Sequence, residues 1–290
     1  MVKLFVSDMD GTLLNEEHVI SDRNASAVKA LQQAGIEFVI ATGRAYNSAK
    51  PILDVHNINC KMINLNGAAV YNLNGEIETK IPLEIGTVKK MLKYLDESDT
   101  EYSVMTDKYF YVDDKEAFIE RVHEMLRKLD IEKHTNIKTD DAYSSDAQFI
   151  HEIAYIKGMD EFSYTDDTMA LKFMVFGEPS DNKLTNFYEA FKALEDLDIT
   201  SSGPDILEIS HSKAQKGFAV EKYAASRGIS MEDVATIGDS LNDRSMLKMA
   251  GHSYAMENSA PEVIEMAKTI APSHREDGVA VVIEELLKQL

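Results

Sequence analysis

The chain has 290 residues, enough for one large domain or two ordinary ones with a sizeable buried core. Apolar residues make up 44% of it, a globular rather than a disordered composition, and 50 acidic against 30 basic residues leave a net charge of −20. That balance argues against nucleic acid or an anionic membrane as the main partner, but not against a small anionic substrate held by a local positive site.

The opening residues, "MVKLFVSDMDG", hold no long apolar run, and no stretch approaches the ~18 apolar residues of a membrane span. With a single cysteine, Cys60, no intrachain disulfide is possible. Beside a short apolar segment, that thiol reads as a packing residue. A cytoplasmic protein is the expectation.

In chain order, "KLFVS" (3–7) is a strand, 21–35 a helix capped by Ser21 and closed by Gly35, and "EFVIA" (37–41) a strand. A helix over 46–55 and a strand "KMINL" (61–65) follow. This alternation predicts a parallel sheet with helices on its faces. The middle changes character. "YSVMTDKYFYVD" (102–113) reads as a hairpin around Asp107-Lys108, followed by a helix at 115–130 and a loop at 132–148. Next come a strand at 170–177, a helix at 181–197, and strands "ITSSG" (199–203) and "ILEIS" (206–210) joined by Pro204-Asp205. Within the hairpin, Tyr109-Phe110-Tyr111 lines a pocket or simply alternates on a half-buried ribbon. The first rhythm then returns: helix 216–227, strand 234–238, helix 242–250, strand 253–256, a helix from Pro261 to Lys268, strand 269–271 and a last helix at 279–289. The predicted fold is α/β: a Rossmann-like parallel sheet core at 1–82 and 211–290, interrupted by an α+β insertion at 83–210.

Ligands of open parallel sheets bind beyond the carboxyl ends of the strands. The residues there are Asp8-Met9-Asp10-Gly11-Thr12, Thr42-Gly43-Arg44, Asn66-Gly67 and Asp239-Ser240-Leu241-Asn242-Asp243. Four carboxylates, Asp8, Asp10, Asp239 and Asp243, require a cation or a proton to sit together. An all-oxygen donor set with no His or Cys favours Mg²⁺ over Zn²⁺. Thr42, Gly43 and Lys216 suit phosphate oxygens, so the reaction class implied is phosphoryl transfer. If the chain stays extended through Asp10, both early carboxylates face one substrate, one as nucleophile and one as proton carrier.

"DMDGTLL", "ATGR", "KG" and "GDSLND" occur in the order of the haloacid dehalogenase-like superfamily, and with "NGA" at 66–68 and the large insertion the chain resembles its Cof-type, sugar-phosphatase-like branch. The resemblance implies that Asp8 forms the aspartyl-phosphate and Asp10 is the acid/base. Thr42 and Lys216 then hold the phosphoryl group. Mg²⁺ is bound by Asp8, the Asp10 carbonyl and Asp239, with support from Asn242 and Asp243. The insertion becomes a substrate-selecting cap, with Arg44 facing the crevice beneath it. Two positions depart from the pattern: Glu257 replaces the glycine of an "MGNA" turn, and His274 stands where Asn is common. The expected activity is Mg²⁺-dependent hydrolysis of small phosphorylated metabolites. A phosphomutase of the same superfamily and a non-enzymatic phosphometabolite-binding regulator are the alternatives.

Overall fold

A computed structural model describes residues 1–116, 118–119, 156–165, 168–178 and 180–289. Most of the helix expected at 115–130 and the whole loop expected at 132–148 lie outside the described residues. Among those described, fourteen strands form two sheets.

The first sheet begins with β1 (Leu4–Ser7), α1 (Asp22–Gln33), β2 (Glu37–Ala41), α2 (Tyr46–Val55) and β3 (Lys61–Asn64). Ser21 caps α1, its hydroxyl accepting from the Asn24 amide. Two strands that the sequence reading did not anticipate, β4 (Ala69–Tyr71) and β5 (Ile77–Lys80), extend the sheet in antiparallel fashion. They are short, and the Asn72 side chain sets their turn by accepting from the amides of Asn74 and Glu76.

The C-terminal part adds α5 (Lys216–Ser226), β12 (Val234–Gly238), α6 (Arg244–Met249), β13 (His252–Met256), α7 (Pro261–Ile264), β14 (Thr269–Ala271) and α8 (Gly278–Leu287). The sheet order is β14-β13-β12-β1-β2-β3-β4-β5, with every pair from β14 to β3 parallel. Helix α7 stops at Ile264 rather than running to Lys268. The Lys268 amide donates to Ser253 and its ammonium to the carbonyls of Ala250 and Gly251, drawing the chain into β14.

The central strands are buried on both faces, which accounts for their unbroken apolar runs. Phe5, Phe38, Ile40 and Ile237 pack with Val28, Leu31, Leu53 and Ile283 on one side. Leu4, Val6, Val39 and Val234 pack with Val220, Ala224 and Met246 on the other. Cys60 is buried, and burial pushes its thiol up to about 12, which suits packing and not nucleophilic attack. Among the described residues no helix is long and apolar enough to cross a membrane.

The second sheet comprises β6 (Tyr102–Met105), β7 (Phe110–Val112), β8 (Ile156–Gly158), β9 (Lys172–Phe176), β10 (Leu197–Gly203) and β11 (Ile206–His211), in the order β10-β11-β9-β6-β7-β8. The hairpin at 102–113 forms as expected. Helix α3 (Ile85–Glu97) and helix α4 (Lys183–Phe191) cover one face, burying Val88, Met91, Leu95, Phe187 and Phe191 against Tyr102, Val104, Phe173, Val175 and Ile209. The expected helix at 181–197 ends at Phe191, because Leu197 already pairs with His211 at the start of β10.

Candidate active site

Strand order reverses at β1, whose neighbours are β2 and β12, and the carboxyl ends of these three strands meet there. This is the topological switch point at which α/β sheets place ligands. A cavity of about 560 Å³ opens at this edge, with Asp8, Asp10, Gly43, Arg44, Asp239 and Asn242 in its wall and the second sheet across from them.

Asp8 directly follows β1 and is 5% exposed. The Lys216 ammonium, fully buried at the start of α5, donates to Asp8 Oδ1 and to Asp243 Oδ1, each at 2.7 Å. Asp243 Oδ2 accepts from the amides of Asp239 and Ser240 at 2.9 and 3.0 Å. Asp239 accepts from the Thr12 and Ser240 hydroxyls at 2.7 and 3.2 Å. Burial, reinforced by Asp243, pushes Asp239 up to about 6. Burial also raises Asp8 well above the usual carboxylate range, against the pull of Lys216 and with the repulsion of Asp243, Asp239 and Asp10. Lys216 resists the lowering expected of a buried amine because Asp243 and Asp8 hold its proton.

Asp10 has its own cation. Arg44 grips it with two bonds of 2.7 Å, and His18 Nδ1 lies 3.6 Å away. Burial would raise its pKa, but the hydrogen bonds from Arg44 and His18 outweigh that and hold Asp10 well below the usual carboxylate range. The carboxylate repulsion read from the sequence is therefore met in part by Lys216 and Arg44. In this state the acidities of Asp8 and Asp10 run opposite to the division of ionised nucleophile and protonated acid. The chain does not stay extended through Asp10 as expected: Asp8 and Asp10 keep extended backbone, but Met9 between them takes helical dihedrals, and Gly11 takes φ +72°, where a Cβ would lie 2.5 Å from Asp239 Oδ2.

The remaining predicted residues sort into lining and support. Gly43, Arg44 and Asn242 line the cavity, whereas Thr42, Asn66, Lys216 and Asp243 lie behind that lining. The Thr42 hydroxyl accepts from the Arg44 amide at 3.1 Å. Asn66, in the left-handed region at φ +59°, accepts from Asn242 Nδ2 at 3.2 Å and donates to Glu208 at 2.7 Å. Asn258 donates to the Gly11 carbonyl at 2.9 Å and accepts from the His274 amide at 3.1 Å, so both departures from the family pattern flank a working contact. Glu257 is not among the residues at positive φ, so the lost glycine costs no backbone strain there.

The sequence reading missed Lys172 and Glu208. Lys172 on β9 is 1% exposed, pairs with Glu208 of β11 at 3.0 Å and donates to the Gly43 carbonyl at 3.2 Å. One polar chain thus runs from the second sheet through Asn66 to Asn242. Its trace in the sequence is a pair of opposite charges inside otherwise apolar strands, "ALKFMVFG" and "ILEIS". Buried ion pairs seldom add net stability over apolar packing, so a positioning role explains them better. A Cβ on Gly43 would sit 3.2 Å from both Lys172 Nζ and Asn66 Oδ1. Gly43→Ala is expected to cost about 1–3 kcal/mol by overpacking, read as a lower denaturation midpoint. An unchanged midpoint would show that the junction is looser than this.

Asp8, Asp239 and Asp243 can each place one oxygen within 4.8 Å of the others. This buried, all-oxygen cluster fits a hard divalent cation. Asp243 already accepts from Lys216 and two amides, leaving Asp8 and Asp239 as the better direct ligands.

Comparison with known proteins agrees with this geometry. A family described as haloacid dehalogenase-like hydrolase matches residues 5–283. Phosphatase YwpJ of Bacillus subtilis is 30% identical over 99% of this chain and 100% of its own. The B. subtilis 5-amino-6-(5-phospho-D-ribitylamino)uracil phosphatase YwtE is 33% identical over 99% and 98%. A solved haloacid dehalogenase-like hydrolase from B. subtilis superposes with a TM-score of 0.83 at 27% identity, covering 98% of this chain and 100% of that one.

Proposed function

The chain belongs to the haloacid dehalogenase-like hydrolases, in their Cof-type branch, and is a phosphatase of that family; from this premise we propose that it is a Mg²⁺-dependent hydrolase of small phosphorylated metabolites, sugar phosphates or similar phosphomonoesters. The observation that carries the reading is Asp8: a buried carboxylate at the switch point, held by Lys216 inside an acidic cluster and open to the cavity. Residues 1–82 and 211–290 form the catalytic core in this reading, and 83–210 the cap.

An Asp8 oxygen attacks phosphorus, and the bond to the ester oxygen breaks. Asp10 gives that departing oxygen a proton. It then takes one from the water that attacks the aspartyl-phosphate, releasing inorganic phosphate and restoring Asp8. Lys216, Thr42 and the Gly43 amide hold the phosphoryl oxygens. Asp8, the Asp10 carbonyl and Asp239 hold Mg²⁺, with Asn242 and Asp243 orienting them. The bound ion would neutralise the carboxylates and the charge on the transferring group. For Asp10 to carry a proton, Arg44 must loosen its grip, and an incoming phosphate dianion is a natural competitor for that guanidinium.

The first test is a panel of phosphate esters assayed with Mg²⁺ and after chelation, with release of inorganic phosphate distinguishing hydrolysis from isomerisation. Hydrolysis that survives chelation undiminished would remove the metal from the reading. Asp10→Asn tests the acid. On alkyl phosphates kcat/KM is expected to fall roughly 10²–10⁴-fold, and much less on p-nitrophenyl phosphate, whose leaving group departs without a proton. Equal losses on both would assign Asp10 another role.

A further inference from the structure

A carboxylate only accepts hydrogen bonds and an ammonium only donates them, whereas a neutral side-chain amide does one at each end. Amides in series therefore take their sense from a one-way group at the end of the series. Glu208 of β11 is such a group. It is buried, its Oε1 pairs with the Lys172 ammonium at 3.0 Å, and its Oε2 accepts from Asn66 Nδ2 at 2.7 Å. Asn66 must donate there, so its Oδ1 turns to the other side. Asn242 Nδ2 donates to that oxygen at 3.2 Å. What remains of the Asn242 amide is its Oδ1, which is buried and has no hydrogen-bond partner among the described residues.

The backbone around this series is pinned. Asn66 sits at φ +59°, with its amide donating to the Thr42 carbonyl at 3.0 Å. Gly43 packs against the junction, where a Cβ would lie 3.2 Å from Asn66 Oδ1 and 3.7 Å from Asn242 Nδ2. Lys172 donates to the Gly43 carbonyl at 3.2 Å and so holds the same loop. Asn242 itself lines the cavity onto which Asp8 opens. A buried acceptor without a donor is costly. At the wall of a polar cavity it is explained by a donor that arrives with the ligand.

We propose that Lys172 and Glu208 are positioning residues that set the hydrogen-bond polarity of the site: acting through Asn66, they make Asn242 present oxygen rather than nitrogen to an O–H donor of the incoming ligand. That donor is a water in the hydration shell of the cation or a hydroxyl of the phosphate or its ester. Neither Lys172 nor Glu208 touches the reacting atoms. The sense is imposed from the second sheet, so the acceptor is oriented only while β9 and β11 lie against the loops that follow β2, β3 and β12. The proposal rests on the phosphatase reading for its kinetic readout alone.

A substitution cycle tests this. In Glu208→Gln the Lys172 ammonium still takes the side-chain oxygen, which leaves the new amide nitrogen facing Asn66. Both asparagines then turn over, and Asn242 presents its nitrogen. Asn242→Asp fails for the opposite reason, because its carboxylate meets Asn66 Oδ1. In the double variant the reversed series closes: the glutamine donates to Asn66, Asn66 donates to the new carboxylate, and an oxygen again faces the ligand. For p-nitrophenyl phosphate, kcat/KM is expected to fall roughly tenfold or more in each single variant. In the double variant it should be about fivefold higher than in Asn242→Asp, whose added charge it shares. A pair that merely held the sheets together would make the two losses multiply. Calorimetric titration of the same four proteins with Mg²⁺ alone, then with inorganic phosphate in its presence, reads the cycle without turnover. Recovery with Mg²⁺ alone assigns the donor to the hydration shell, and recovery that needs phosphate assigns it to the phosphate or ester. Either supports the proposal even if p-nitrophenyl phosphate is not hydrolysed, a result that would count against the phosphatase reading alone. Losses that multiply in all three measurements, or a Glu208→Gln protein that matches the wild type, overturn it. If Glu208→Gln does not fold because Lys172 is left unpaired, the cycle is run on Lys172→Met/Glu208→Gln, whose glutamine can turn either way. Asn242→Asp should then cost severalfold less than in the wild-type background, and an equal cost overturns the proposal.

Discussion

Asp8→Asn is expected to abolish Mg²⁺-dependent phosphomonoester hydrolysis, with kcat down by at least about 10⁴-fold, the scale on which removing a covalent nucleophile acts. An amide in place of the carboxylate cannot form the acyl phosphate. It is nearly the same size, so the packing at the end of β1 survives, and it removes one of three neighbouring acidic groups. Circular dichroism should therefore match the wild type while phosphate release is lost. Turnover that persists at the wild-type rate in the purified variant would show that another group attacks phosphorus.

Lys216→Met is expected to have the largest effect on stability. The ammonium is fully buried, and its bonds to Asp8 and Asp243 give the closest cationic compensation to that pair. Its removal leaves buried carboxylates without a counter-charge, a change that costs about 3–5 kcal/mol. For a chain of this size that corresponds to a drop in melting temperature of roughly 10 °C. Activity falls as well, because the same ammonium is assigned to the phosphoryl oxygens. A variant that melts within a degree or two of the wild type would mean that Lys216 does not hold the cluster together.

The elements that the sequence displayed well are those whose local pattern and tertiary role agree. β1, β2 and β12 are apolar runs because helices cover both faces of the sheet. Helix α1 begins at a serine that does cap it. Where the two levels compete, local pattern was a poorer guide. Residues 192–197 continue a helical spacing, yet Leu197 pairs with His211. β4 and β5 are three and four residues long and carry too little pattern to stand out.

The candidate site divides in the same way. The tips after β1, β2, β3 and β12 were legible because parallel topology brings strand ends together whatever the loops contain. The electrostatics within the site were not. That Arg44 grips Asp10 while Lys216 bridges Asp8 and Asp243 depends on side-chain directions across elements 27 to 208 residues apart.

By itself, then, the amino-acid order determined the groups on offer: an all-oxygen acidic cluster, two carboxylates two positions apart as the proposed nucleophile and acid/base, and basic side chains proposed for a phosphoryl group. These follow from residue types at strand ends. Only the tertiary structure decided which carboxylate each cation serves, and that Lys172 and Glu208 of the second sheet look into the cavity. Those outcomes depend on pairing register and on the face a strand presents. A one-residue slip would turn every such side chain to the opposite face.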